Sequence, residues 1–130
     1  EIFNVGIFGM VNTFHEKVYK ERGVKFYGEF YSDLEYDETG YLVIAKGRNQ
    51  YYPTDRAVER CMRAMKENKV QTIQGNDVDV GCETICVHSD TPNAIEILKA
   101  LRDNISSKKN SSEKSKNGNH SKMPYIIDKK

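Results

Sequence analysis

Apolar and polar positions along this chain follow two different periods in turn. Ile2 to Gly9 is a nearly continuous apolar run of a length that suits a buried strand. A helical repeat follows: Asn12 or Thr13 can cap a helix running to about Arg22, with Phe14, Val18 and Tyr19 on its inner stripe and Gly23 as its stop. Val24 to Tyr31 changes to a period of two. Its even positions (Val24, Phe26, Gly28, Phe30) are apolar, and its odd positions carry Lys25, Tyr27, Glu29 and Tyr31.

A polar stretch from Ser32 to Gly40 interrupts the order before a short apolar run, Tyr41 to Ala45. Pro53-Thr54-Asp55 signals a helix start, and Ala57, Val58, Cys61, Met62 and Met65 repeat at helical spacing to about Asn68. Val70 to Val80, with Gly75-Asn76 at its middle, reads as a small hairpin. Thr84 to His88 is a third clear strand. Asp90 or Thr91 can cap a last helix, with Pro92 in its first turn and Ala94, Ile95, Leu98 and Leu101 inside. Strands alternating with helices predict an α/β domain with a largely parallel sheet. That domain is expected over residues 1–104, followed by a disordered Lys/Ser/Asn-rich tail over 105–130, where apolar content is too low to offset ordering entropy.

Composition adds limits. The 130 residues suffice for one domain, and no apolar run reaches the length of a membrane span. A net charge of +1 conceals a split: residues 1–104 carry 13 Lys and Arg against 17 Asp and Glu, and the tail is basic. An acidic domain does not invite nucleic acid. Three cysteines without a secretory leader favour a reducing, cytoplasmic setting and thiols over disulfides.

Two segments bring polar groups to strand ends, where α/β folds place their sites. In Gly28-Glu29-Phe30-Tyr31-Ser32-Asp33, Glu29, Tyr31 and Asp33 share a parity, so two carboxylates and a phenol can project to one side. Proximity drives such pKa values apart and suits acid and base roles, unless the strand face is simply solvated. In Thr84-Ile85-Cys86-Val87-His88-Ser89-Asp90-Thr91-Pro92, a strand delivers His88 beside a helix start. His88 can carry a proton near neutral pH, Asp90 can orient its ring, and helix N–H groups can hold an anion. The plainer alternative makes Asp90 or Thr91 only a cap. Cys82, Cys86 and His88 also share a parity, but structural zinc takes four ligands at tight paired spacings, so no metal site is assigned.

These two segments, with Lys66 to Gly75 between them, resemble the LamB/YcsF family, which includes the A component of prokaryotic-type 5-oxoprolinase. Thr84 to Ala94 is similar to its "sICVHGDtPgA" signature, Gly28 to Asp33 to its "sEvFADR", and Lys66 to Gly75 to its "keGkVrtvdG". The likeness covers roughly Val5 to Arg102. It implies the carboxy-terminal portion of a distorted (β/α) barrel of the glycoside hydrolase/deacetylase superfamily. It further implies ATP-dependent opening of 5-oxoproline to L-glutamate with 5-oxoprolinase B- and C-type partner subunits, which would supply the ATP chemistry. By resemblance Glu29, Asp33, His88 and Asp90 fall on catalytic positions, and Tyr31, Ser89 and Thr91 on substrate-binding ones. Glu29 and Asp33 are expected to position substrate or water, and Asp90 to support His88. Leu34 stands where the family has Arg, and Ser89 where it has Gly. The family's Asp-Leu-Asn-Cys-Asp and Cys-Gly-Phe-His-Ala-Gly-Asp motifs are not in this sequence. A metal-dependent carbohydrate hydrolase or deacetylase, or a non-catalytic relic, are the alternatives.

Overall fold

A computed structural model describes residues 4–44, 50–112 and 126–129. The elements in chain order are β1 (Ile7–Gly9), α1 (Phe14–Glu21), β2 (Phe26–Tyr31), β3 (Glu35–Tyr36), β4 (Leu42–Val43), α2 (Thr54–Glu67), β5 (Lys69–Gln71), β6 (Asp77–Asp79), β7 (Thr84–His88), α3 (Ala94–Ser112) and β8 (Ile126–Lys129). Four of the strands form one parallel sheet in the order β1-β2-β7-β8. The expected mixed α/β character is therefore present, with β2 and β7 as central neighbours. Two small antiparallel pairs, β3 with β4 and β5 with β6, stand outside that sheet. Ala45, at the end of the expected apolar run, lies outside the described residues.

Local chemistry accounts for the element ends. The Thr13 hydroxyl accepts the Glu16 N–H at 3.3 Å and the Glu16 carboxylate accepts the Asn12 N–H at 2.5 Å, a reciprocal cap that starts α1. Asn68 closes α2 in the left-handed region at φ 53° and ψ 36°, donating its N–H to Ala64 O. The β5–β6 hairpin turns at Gly75, whose φ of 94° few other residues adopt.

The core lies between the sheet and the α2–α3 pair, which pack on each other. Phe30, Ile85 and Val87 reach it from β2 and β7, Ala57, Cys61 and Ala64 from α2, and Ile97 and Leu101 from α3. Tyr36 stacks on Phe30, with ring centroids 5.5 Å apart and planes 9° from parallel. Cys61, Cys82 and Cys86 are all thiols. A close backbone approach ties the hairpin's return to β2: a Cβ on Gly28 would lie 3.0 Å from Gly81 Cα. There the Glu83 N–H donates to Gly28 O at 2.8 Å, and the Gly28 N–H donates to the Glu83 carboxylate at 2.6 Å.

Three expectations change. Phe14, placed on the inner stripe of α1, is 75% exposed, and no α1 residue is buried. The last helix begins at Ala94 and runs on through Ser112, past the expected boundary at residue 104. Ile126–Lys129, assigned by composition to the tail, pairs with β7 in a parallel register that sets His88 beside Lys129. Residues 113–125 of that tail lie outside the described residues. No helix among the described residues is long and apolar enough to cross a membrane.

Candidate functional site

The parallel pairing of β2 with β7 decides which polar groups meet. Glu29 lies opposite Thr84, Phe30 opposite Ile85 and Tyr31 opposite Cys86. Beyond Tyr31 the Ser32 N–H donates to Cys86 O at 3.0 Å, and the Ser32 hydroxyl donates to the same oxygen at 2.8 Å. A regular continuation of this ladder would turn the His88 N–H toward Ser32 O. Instead it donates to Asp33 Oδ2 at 2.9 Å. The chain leaves the strand at this point, and a side-chain carboxylate stands in for a backbone carbonyl.

Asp33 is the hub of the cluster. Its Oδ1 lies 2.7 Å from His88 Nδ1, and its Oδ2 also accepts the Thr91 hydroxyl at 2.6 Å. Burial pushes the Asp33 carboxyl up, but donation from the His88 ring, the Thr91 hydroxyl and the His88 N–H outweighs it and holds the group below the usual carboxylate value. An ionised carboxylate only accepts hydrogen bonds, so the proton between them sits on Nδ1. The Asp33 side chain has no exposed surface, whereas the imidazole keeps 17% of its own, so the ring forms the accessible part of the pair.

Tyr31 and Glu29 extend the cluster down the strand. The Tyr31 ring stacks on the His88 ring at 5.9 Å between centroids and 18° from parallel. Its hydroxyl donates to Glu29 Oε2 at 2.8 Å. Burial first, and then this bond to a carboxylate, push the phenol far above its usual range, so it remains a protonated donor. The resulting row runs from a buried carboxylate through a phenol to an imidazole and a second carboxylate.

The sequence-derived site residues divide accordingly. Glu29, Tyr31, Asp33, His88 and Thr91 are brought together, while Ser89 and Asp90 are exposed in the turn between β7 and α3. The expected orienter of the ring was Asp90. In the structure the group bonded to the ring through Nδ1 is Asp33, whose two oxygens are engaged by His88 and Thr91. Thr91 was a candidate cap, but its hydroxyl serves Asp33 and α3 starts three positions later. Among the described residues no three His, Cys, Asp or Glu side chains converge as a metal ligand set.

One participant lay outside the sequence expectations. Arg60 is 7% exposed on the inner face of α2. It donates from Nη1 to Ser32 O at 3.0 Å and to the Tyr52 hydroxyl at 2.5 Å, and from Nη2 to Leu34 O at 2.6 Å. Its guanidinium lies 5.6 Å from the Phe30 ring centroid and 5.8 Å from that of Tyr36. The signal was visible in the sequence, since Arg60 interrupts an apolar stripe between Ala57 and Ala64. A charge there is buried only when it is paired.

Together these features define an α/β protein with a polar centre at the carboxyl ends of adjacent parallel strands. The LamB/YcsF family model matches residues 3–120, and the chain belongs to that family. It is 34% identical to the 5-oxoprolinase A subunit 1 of Pseudomonas aeruginosa over 66% of this chain and 34% of that protein. It is 34% identical to the 5-oxoprolinase A subunit of Oceanobacillus iheyensis over 75% of this chain and 38% of that one. The lactam utilization protein lamB of Emericella nidulans is 35% identical over 75% of this chain and 40% of its own. The chain thus spans about a third to two-fifths of these relatives. The crystal structure of a lactam utilization protein from Thermus thermophilus shares the fold with a TM-score of 0.69 at 23% identity, over 81% of this chain and 42% of that one.

Proposed function

We propose that this chain contributes the Asp33–His88 centre of a 5-oxoprolinase protein of the A type, in which a lactam is hydrolysed to an amino acid. The observation that carries this is the His88 ring, held by Asp33 through Nδ1 and left partly exposed at a strand end. Ring opening of a lactam needs a proton moved from attacking water and a proton delivered to the leaving nitrogen. One imidazole of fixed tautomer can do both in turn, because Nε2 accepts in the neutral ring and donates once charged. In this role Asp33 orients the ring and stabilises the imidazolium, as the buried acid of a catalytic triad does. Tyr31 covers one face of the imidazole, and Glu29 with Tyr31 offers polar contacts for the lactam. Ser89 and Asp90 lie in the turn that follows His88.

In this proposal the sheet is part of the distorted (β/α) barrel of the glycoside hydrolase/deacetylase superfamily, and the strand ends form part of its mouth. The relatives are named as A subunits, which supports partner subunits of B and C type. ATP belongs with those partners. The residues here do not fit a triphosphate: Glu29 and Asp33 are acidic, and Arg60 is directed at two carbonyls and a phenol. No step is assigned to ATP within this chain.

The test is a titration of the 130-residue chain with 5-oxoproline, followed by NMR at the His88 ring and at residues 29–33. Saturable shifts centred on His88, abolished in Asp33→Asn, are expected. Shifts scattered elsewhere, or none at millimolar ligand, would remove the lactam reading.

A further inference from the structure

The cluster contains a departure from regular sheet geometry that Asp33 alone does not explain. Where β2 ends, Ser32 O is the acceptor that the ladder would offer to the His88 N–H. In this structure Ser32 O accepts from Arg60 Nη1 at 3.0 Å, while Arg60 Nη2 holds Leu34 O at 2.6 Å. The two carbonyls flank Asp33 on either side. One rigid, planar guanidinium therefore spans the residue whose carboxylate must turn toward β7.

We infer that Arg60 is a positioning residue for the Asp33–His88 pair, acting by drawing Ser32 O and Leu34 O toward α2 so that the Asp33 carboxylate takes over the His88 N–H. The remaining contacts fit that task. Tyr52 places its hydroxyl 2.5 Å from Nη1 and 2.9 Å from Glu35 Oε1, and Arg56 adds an ion pair to Glu35 at 3.0 Å. Asn93, just before α3, accepts from the Tyr52 N–H at 3.2 Å and donates to Tyr52 O at 2.7 Å. The clamp is thus tied to both helices behind the site and to the turn that carries Thr91. A general packing role would need only the aromatic contacts to Phe30, Tyr36 and Tyr52. It would not require two donors on the two carbonyls either side of one acid.

Lysine in place of arginine separates these roles. Arg60→Lys keeps the charge and most of the stem but cannot reach two carbonyls in a fixed fork. The readout is the titration of the Asp33 carboxyl carbon by NMR in the full chain, together with the ring nitrogens of His88. Asp33 faces His88 and Thr91 from the β7 end and the buried Cys61 thiol from α2, with Arg60 of α2 on the carbonyls either side of it. In Arg60→Lys the Asp33 titration should rise from its depressed position, because burial persists while the bonds that offset it weaken. The His88 ring should lose its fixed Nδ1–H tautomer while the chain still melts cooperatively. Tyr52→Phe, which keeps both carbonyl bonds and removes only the lateral brace on the guanidinium, should move both signals less than Arg60→Lys does. Unchanged Asp33 and His88 signals in Arg60→Lys would overturn the inference. Loss of those signals only along with global unfolding, or an equal loss in Tyr52→Phe, would overturn it too. The role presupposes, as the lactam proposal does, that Asp33 and His88 form the working pair. The titration reads geometry without substrate, so a failed lactam titration would leave this result standing, and the converse also holds.

Discussion

Two strand–helix units of this chain begin from similar sequence patterns and end differently. The β1–α1 unit has an apolar strand and an amphipathic helix, yet no α1 residue is buried, and Phe8 and Phe14 face outward. In the β2–β7 unit both faces are covered. Phe30, Ile85 and Val87 are fully buried under α2 and α3, and the opposite face carries the Glu29, Tyr31 and His88 row. Periodicity tells which face of an element is apolar, but burial needs a second layer to meet it. Of these two units, the β2–β7 one has that layer, and the polar centre sits on it.

The largest test of this contrast exchanges equivalent residues. Phe30→Ala removes a fully buried ring stacked on Tyr36 and should cost about 3–5 kcal/mol in denaturant unfolding. Phe14→Ala should stay within about 0.5 kcal/mol of wild type, as exposed positions do. Equal losses would dissolve the distinction between the units. A smaller effect comes from the hairpin's attachment. Gly81→Ala would bring a methyl to 2.9 Å from Gly28 Cα and against Val11, which should cost about 1–3 kcal/mol in the same measurement. A neutral result would show that the hairpin can move off β2.

The strands and helices were legible wherever one period held over a whole element. β7 has the bounds its apolar run suggested, and α2 has its stop at Asn68. The site was legible residue by residue but not in its pairing. Glu29, Tyr31, Asp33 and His88 were named from their strand-end positions and Thr91 from the helix start, yet Asp90 was chosen to hold the ring because it is two residues from it. Asp33 is 55 positions away, and only the β2–β7 register brings it there. Arg60 was hidden for a related reason: on a helix stripe it looks like an interruption, and its carbonyl partners lie on a loop 26 and 28 positions earlier. The end of α3 was missed because composition rules weigh apolar content, whereas a helix already docked through Ile97 and Leu101 can extend into polar sequence.

A pH series sharpens the comparison at the site itself. The Asp33 carboxyl is depressed in the folded chain. Its contribution to stability is therefore complete above the unfolded value of about 3.9, and is lost as pH falls through the lower folded value. Wild type should exceed Asp33→Asn in stability at neutral pH, with the gap closing in acid below about pH 4. A gap that persists undiminished to about pH 2 would mean that Asp33 is not held as an ion. The smallest effect belongs to the loose unit. Thr13→Ala removes the α1 cap, worth about 1 kcal/mol to the helix. Amide exchange within residues 14–21 should quicken while global unfolding stays put, because local opening of an unburied helix is separate from the core. A matching drop in global stability would place α1 in the cooperative unit after all.

The central claim is that His88, fixed by Asp33, moves the proton in lactam opening. Its most direct test is turnover of 5-oxoproline by the protein carrying this sequence, supplied with the proposed B- and C-type subunits and ATP, in wild-type and His88→Ala forms beside a thermal melt. A fall on the order of a hundredfold or more, with the melt unchanged, is the expected result. Equal turnover in the two forms, or a loss matched by unfolding, would contradict it.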